Sequence, residues 1–189
     1  MKDFAKLLQT EKTIFTVTDI YQIFSHYNKF SLRNAISRLG KQWFLINICK
    51  GIRALPKYNI YELANILQKP SYISLETVLN QEWIIFQDYG NILFSISIKT
   101  RDIKIWNLKY SYKTIKKEIL LDPKWIAYTQ WYAIASPERA ICDRLYLTPN
   151  YHFDNLRGIN RQKLQEIATI YNNQRLILDI KNLQNGTGY

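Results

Sequence analysis

Apolar positions in the first third of the chain recur at helical spacing before giving way to short extended segments. Phe4, Leu7 and Leu8 fall three and four apart and share one helix face. Thr16 stands three residues before Asp19, a capping-box pattern: the hydroxyl accepts from a free backbone N–H while the acid reaches back. Ile20, Ile23 and Phe24 then form the inward stripe of a second helix. In the loop His26 to Phe30, Asn28 tolerates the left-handed conformation of a tight turn. Ser31 is the predicted N-cap of a third helix, Leu32 to Lys41. Its inward face is Leu32, Ala35, Ile36 and Leu39, and its outward face is Arg33, Asn34, Ser37, Arg38 and Lys41. Phe44 to Cys49 and Ile52 to Leu55 read as a hairpin around Lys50-Gly51, stopped by Pro56, with Gly51 free to take positive φ. Trp43, just after the third helix, is expected to anchor the hairpin to the core.

Past Pro56 the pattern changes. Tyr58 to Lys69 reads as a helix with Leu63, Ala64 and Leu67 inward, stopped by Pro70. Ser74 is expected to cap a further helix carrying Leu75, Val78 and Leu79. From Ile92 to Lys99 the period is two, and after a turn near Arg101-Asp102 the alternation continues through Ile103 and Ile105. Tyr110 to Ile115 and Trp131 to Ala135 supply further strands. Ser136-Pro137-Glu138 opens a helix with a capping Ser, Pro at the first position and an acid near the positive end of the dipole. Ala140, Ile141, Cys142 and Leu145 are expected inward, and Arg139 and Asp143 are expected to pair on the surface. Two helices, Arg161 to Tyr171 and Asn173 to Leu183, close the chain, and the tail Asn185 to Tyr189 is expected to fray. The fold class is therefore α+β, with a boundary near Tyr58 that separates residues 1–57 from 58–189.

Charge sharpens this picture. Residues 1–57 carry ten Lys or Arg against Asp3, Glu11 and Asp19, which is +7 of the chain's net +11. The third helix has no acid at all, whereas an ordinary solvated face mixes signs. Small helices, a hairpin and local positive charge are the parts of a winged helix-turn-helix. Its second helix enters the major groove and its hairpin lies on the backbone beside it. Ser31, Arg33, Asn34, Ser37, Arg38 and Lys41 are the candidate groove-facing residues, because Arg pairs bidentately with guanine and Asn with adenine. Lys50 and Arg53 are the candidate contacts from the wing. A second basic stretch, Lys99, Arg101, Lys104, Lys109, Lys113, Lys116 and Lys117, is broken only by Asp102. It suits a second DNA contact, an RNA or an acidic protein surface, or a Lys-rich exposed edge that discourages strand pairing.

Two motifs bear on identity. Lys69 to Asn80, KPSYISLETVLN, is followed by Ile134 to Leu147, IASPERAICDRLYL, and both come after Lys50 to Pro56, KGIRALP. These motifs, in this order, resemble the AbiEi family of antitoxins and transcriptional regulators, over roughly Thr16 to Leu183. The resemblance implies an N-terminal winged helix followed by a mixed α/β antitoxin domain. It implies an autorepressor of its own promoter that binds double-stranded operator DNA at inverted repeats. It also implies a type IV toxin-antitoxin, or abortive infection, system with a nucleotidyltransferase-like toxin opposed without a stable complex. Two other readings of the same residues are a toxin-binding protein whose winged helix is a docking platform, and a stand-alone winged-helix repressor.

Other classes find less support. His26 and His152 are the only histidines, and neither has Cys, His or carboxylate at metal-ligand spacing, so no metal or cofactor is expected. His26 falls in the predicted turn, exposed or against a phosphate. No Gly-rich phosphate loop occurs, and Glu138 and Asp143, five apart, do not share a helix face, so no catalytic residue is assigned. Tyr110, Tyr112, Tyr128, Trp131 and Tyr132 would stack unpaired bases if they lined a groove, but strand-spaced aromatics are read as core or edge packing. No apolar run reaches the length of a membrane span, Asp3 and Glu11 interrupt the N-terminus, and Cys49 and Cys142 stand alone. A cytoplasmic protein without membrane partners is expected.

Overall fold

A computed structural model of the chain describes residues 2–184; the tail expected to fray lies outside the described residues. The protein is α+β and divides into two compact units, Met1–Leu63 and Ala64–Tyr189.

The first unit runs α1 (Lys2–Leu8), β1 (Ile14–Thr16), α2 (Val17–Ile23), α3 (Lys29–Lys41), β2 (Ile46–Cys49) and β3 (Ile52–Ala54). The strands form an antiparallel sheet in the order β1-β3-β2. Its core joins Leu7, Phe15, Ile20, Phe24, Leu32, Leu39 and Leu45, with Phe4 stacked on Phe44 at 4.3 Å. The Thr16 capping box forms: Thr16 Oγ1 accepts from the Asp19 N–H at 3.2 Å, and Asp19 accepts from the Thr16 N–H at 2.8 Å. Glu62, at the start of α4 (Ile60–Leu67), is buried and accepts from the N–H groups of Thr13 and Ile14 at 3.0 and 3.2 Å. It thereby satisfies the entry to β1, a strand too short for its period to be read in the sequence.

Two expectations about α3 change. The helix begins two residues before Ser31's predicted position as cap, and Asn28 is the N-cap, accepting from the Ser31 N–H at 2.8 Å. An Asx side chain reaches that N–H as well as a Ser does, and the helix then gains most of a turn. Trp43 does not anchor the hairpin; it is 76% exposed with φ +59°. The Trp43 N–H donates to Gly40 O at 3.1 Å and the Phe44 N–H to Leu39 O at 3.0 Å. This pair of bonds is the Schellman closure, in which the residue after the cap is left-handed and the next one turns back onto the core. Trp43 takes the outward position and Phe44 the inward one.

The second unit contains a mixed six-stranded sheet, β6-β7-β5-β4-β9-β8, built from β4 (Ser71–Ile73), β5 (Ile92–Ser97), β6 (Arg101–Ile105), β7 (Leu108–Thr114), β8 (Ile126–Tyr128) and β9 (Ala133–Ala135). Arg101 and Asp102 lie within β6, so the expected turn falls earlier, before Arg101. The helices are α5 (Glu76–Gln81), α6 (Lys117–Leu121), α7 (Pro137–Leu147), α8 (Arg161–Ile170) and α9 (Gln174–Gln184). Ser136 caps α7 with Pro137 in its first turn, as expected. Ser74 does not cap α5: the residue before that helix is Leu75, at φ +56° and without a side-chain cap. The Ser74 hydroxyl is used elsewhere, donating to Asp143 at 2.7 Å.

Asp143 is the centre of a buried polar network. Besides Ser74 it accepts from Tyr171 Oη at 2.6 Å and Tyr72 Oη at 3.0 Å. Arg139 Nε lies 3.8 Å from it, and the guanidinium donates to Ile119 O at 2.6 Å and Lys124 O at 3.2 Å. Both side chains of this pair are 0% exposed, so the expected surface pair is a buried one. Burial pushes the Asp143 carboxyl above its usual range, opposed by Arg139 and the three hydroxyls. Tyr72 and Ser74 come from one of the two sequence motifs, Arg139 and Asp143 from the other. The motifs thus meet as a folding device that ties β4 to α7, to Tyr171 at the end of α8 and to α6.

Candidate nucleic-acid interface

The α3 periodicity puts Leu32, Ala35 and Leu39 into the core and leaves Arg33, Asn34, Ser37, Arg38 and Lys41 exposed. Ser31 is part-buried in the first turn. No carboxylate lies on α3 itself, so its outer face offers donors and positive charge. Arg38 differs from its neighbours. Its guanidinium meets Asp3 of α1 at 2.5 Å, and Asp3 also accepts from Tyr27 Oη at 2.7 Å. Burial alone would raise the Asp3 pKa, but Tyr27 and the Arg38 guanidinium outweigh it and hold the carboxyl below its usual range. Arg38 therefore fastens α1 to α3, and Arg33, Asn34, Ser37 and Lys41 are the residues left to meet a ligand.

Lys50 is exposed at the tip of the β2–β3 hairpin, with Gly51 at φ +82° supplying the turn. Arg53 is part-buried on the central strand, opposite Phe15 and Asn47, so it presents less of its charge than Lys50. His26 is exposed, with its Nε2 3.0 Å from Lys6 Nζ. Phe30 and Trp43, 74% and 76% exposed, flank α3 at its two ends.

The second basic stretch is not one patch. On the β6–β7 ladder Arg101 pairs with Tyr112 whereas Lys104 pairs with Lys109, and the period of two puts these pairs on opposite faces. Lys113 shares the face of Lys109. Lys109 is also neutralised by Asp102 at 2.7 Å. Lys99 lies in the turn before β6, and Lys116 and Lys117 stand at the start of α6, all exposed. β6 is an edge strand, so its charges also serve the anti-pairing role.

The five aromatics grouped in the sequence separate. Tyr110 and Tyr112 are fully buried in β7, and Tyr112 Oη donates to Ala64 O at 2.7 Å. Tyr128, Trp131 and Tyr132 instead line a cleft of about 670 Å³, together with Asn65 and Lys69. Asn65 and Lys69 were not legible as cleft residues in the sequence, because most of the rest of the lining comes from Leu120 to Ala133, more than fifty residues away. Among the described residues no group of three or more His, Cys, Asp or Glu is placed to hold a metal ion. No described helix is long and apolar enough to cross a membrane. Compared with known proteins, no family model and no curated protein matches this sequence.

Proposed function

We propose that the first unit is a winged helix-turn-helix that binds double-stranded operator DNA, with α3 in the major groove and the β2–β3 hairpin on the adjacent backbone. The observation that carries this reading is the α3 outer face: Arg33, Asn34, Ser37 and Lys41 exposed together, no acid among them, and a hairpin tipped by Lys50 directly after. The order of the AbiEi-like motifs supports assigning the chain as a non-enzymatic antitoxin of the cytoplasm. In this reading it represses its own promoter, and its second unit opposes a nucleotidyltransferase-like toxin. Exposed Phe30 and Trp43 favour a second reading, in which the same unit docks a protein. Electrophoretic mobility shift with the full chain separates the two. The DNA reading expects preference for the protein's own promoter over an unrelated duplex of equal length. Equal binding of both duplexes, with toxin neutralisation lost on replacing Phe30 and Trp43 by Ser, would establish docking instead.

A further inference from the structure

The cleft in the second unit has walls of an unusual kind. Tyr128, Trp131 and Tyr132 line it from the β8–β9 turn, and Pro70, Leu120 and Leu121 complete its apolar surface. The turn is held by Thr129, whose N–H and hydroxyl both donate to Tyr132 O at 2.9 Å, and whose hydroxyl accepts from the Tyr132 N–H at 3.0 Å. The aromatic rings are thus presented by a fixed turn, which lowers the entropy lost on binding. Lys69, which is exposed, also lines it. A smaller cleft of about 320 Å³ shares Pro70 and Leu121 with the first and adds Lys117. No carboxylate lines either cleft.

Asn65 adds a specific polar group. Its side chain is 8% exposed, and its Oδ1 accepts from the Ala133 N–H at 2.7 Å. That bond fixes which way the amide points, because a backbone N–H must face the oxygen. Asn65 Nδ2 is then left buried at the cleft wall with no hydrogen-bond partner. The bond from Ala133 joins Asn65 of α4 to β9 and fixes this part of the cleft wall.

We propose that this double cleft binds an unpaired stretch of nucleic acid. Its bases stack on Tyr128, Trp131 and Tyr132, and its phosphates lie near Lys69 and Lys117. Bases in a duplex are stacked on each other and present no free face to such rings, so the ligand is a single strand. The two lysines and the missing carboxylates suit a polyanion better than a peptide. This site is independent of the α3 face, and neither reading requires the other.

Fluorescence anisotropy with an end-labelled oligouridylate of about twelve nucleotides, added to the full chain, tests the proposal. Tyr128, 65% exposed, can be replaced without loss of fold. Tyr128→Ala and Trp131→Ala are each expected to weaken binding by at least about fivefold. Arg33→Ala should leave oligouridylate binding unchanged, and Tyr128→Ala should leave promoter binding unchanged. Failure of the operator reading would appear in the promoter titration alone. Equal oligouridylate affinity in wild type and both aromatic variants, or no binding by wild type, would overturn the proposal. So would uridine monophosphate binding as tightly as the oligomer, which would make the cleft a mononucleotide pocket.

Discussion

Arg33 and Arg38, five residues apart, are both exposed on α3, yet they do different work. Arg38 is tied to Asp3, itself only 6% exposed, while no ion pair holds Arg33 among the described residues. Arg38→Ala leaves a buried carboxylate short of its charged partner and should destabilise the first unit by about 1–2 kcal/mol. Arg33→Ala should leave unfolding within about 0.5 kcal/mol of wild type. Urea denaturation followed by fluorescence distinguishes them, and equal midpoints would mean that the Arg38–Asp3 bond is not formed in solution. The pH dependence follows from the same residue. The Asp3 carboxyl is held below its unfolded value of 3.8, as is Asp19. For Asp19, burial pulls upward but Lys12 and the Thr16 hydroxyl and N–H outweigh it. A depressed folded pKa gives stability that is fully present above the unfolded value and lost as pH falls through the folded one. The first unit should therefore weaken below about pH 4, and Arg38→Ala should flatten that acid limb.

At the scale of elements, the ends of two helices carry tryptophan where glycine is usual. Trp43 after α3 and Trp83 after α5 have φ of +59° and +56° and are 76% and 71% exposed. Both lie in Schellman closures: the Ile84 N–H donates to Leu79 O and the Trp83 N–H to Asn80 O, repeating the pattern at α3. A left-handed residue with a Cβ costs about 1–2 kcal/mol that glycine does not incur. Trp43→Gly should raise the stability of the first unit by about 1 kcal/mol, seen as a higher thermal midpoint. A lowered midpoint would show that the exposed ring contributes packing. Elements with a strong period or cap were legible in the sequence: the Thr16 capping box, the α3 faces, β5 and the Ser136-Pro137 start of α7. The three-residue strands β1, β4 and β8 were not, because so few positions carry no measurable period; β3 and β9 are as short, and their neighbouring Lys50-Gly51 turn and Ser136-Pro137 cap marked them. The Arg139–Asp143 spacing was visible, but its burial was not. An i,i+4 ion pair looks the same at a surface as in a core until the hydroxyls of Tyr72, Ser74 and Tyr171 are brought to it by the fold. The cleft aromatics were legible as residue types and not as a site, since only tertiary structure separates Tyr128, Trp131 and Tyr132 from buried Tyr110 and Tyr112.

For the molecule as a whole, the charge is unevenly spread: +7 of +11 falls in residues 1–57. Such a distribution draws that part of the chain toward a polyanion and makes its affinity depend on salt. In the proposed reading the α3 side chains and the hairpin tip divide the labour, with base edges read by Arg33 and Asn34 and a phosphate neutralised by Lys50. Titration of the protein's own promoter duplex against an unrelated duplex, across a series of salt concentrations, tests this most directly. Arg33→Ala and Asn34→Ala are expected to cost about 1–3 kcal/mol on the promoter and little on the unrelated duplex. Lys50→Ala is expected to weaken both alike and to reduce the salt slope by about 0.9. Promoter affinity unchanged in both Arg33→Ala and Asn34→Ala would contradict the assignment of α3 as the reading helix.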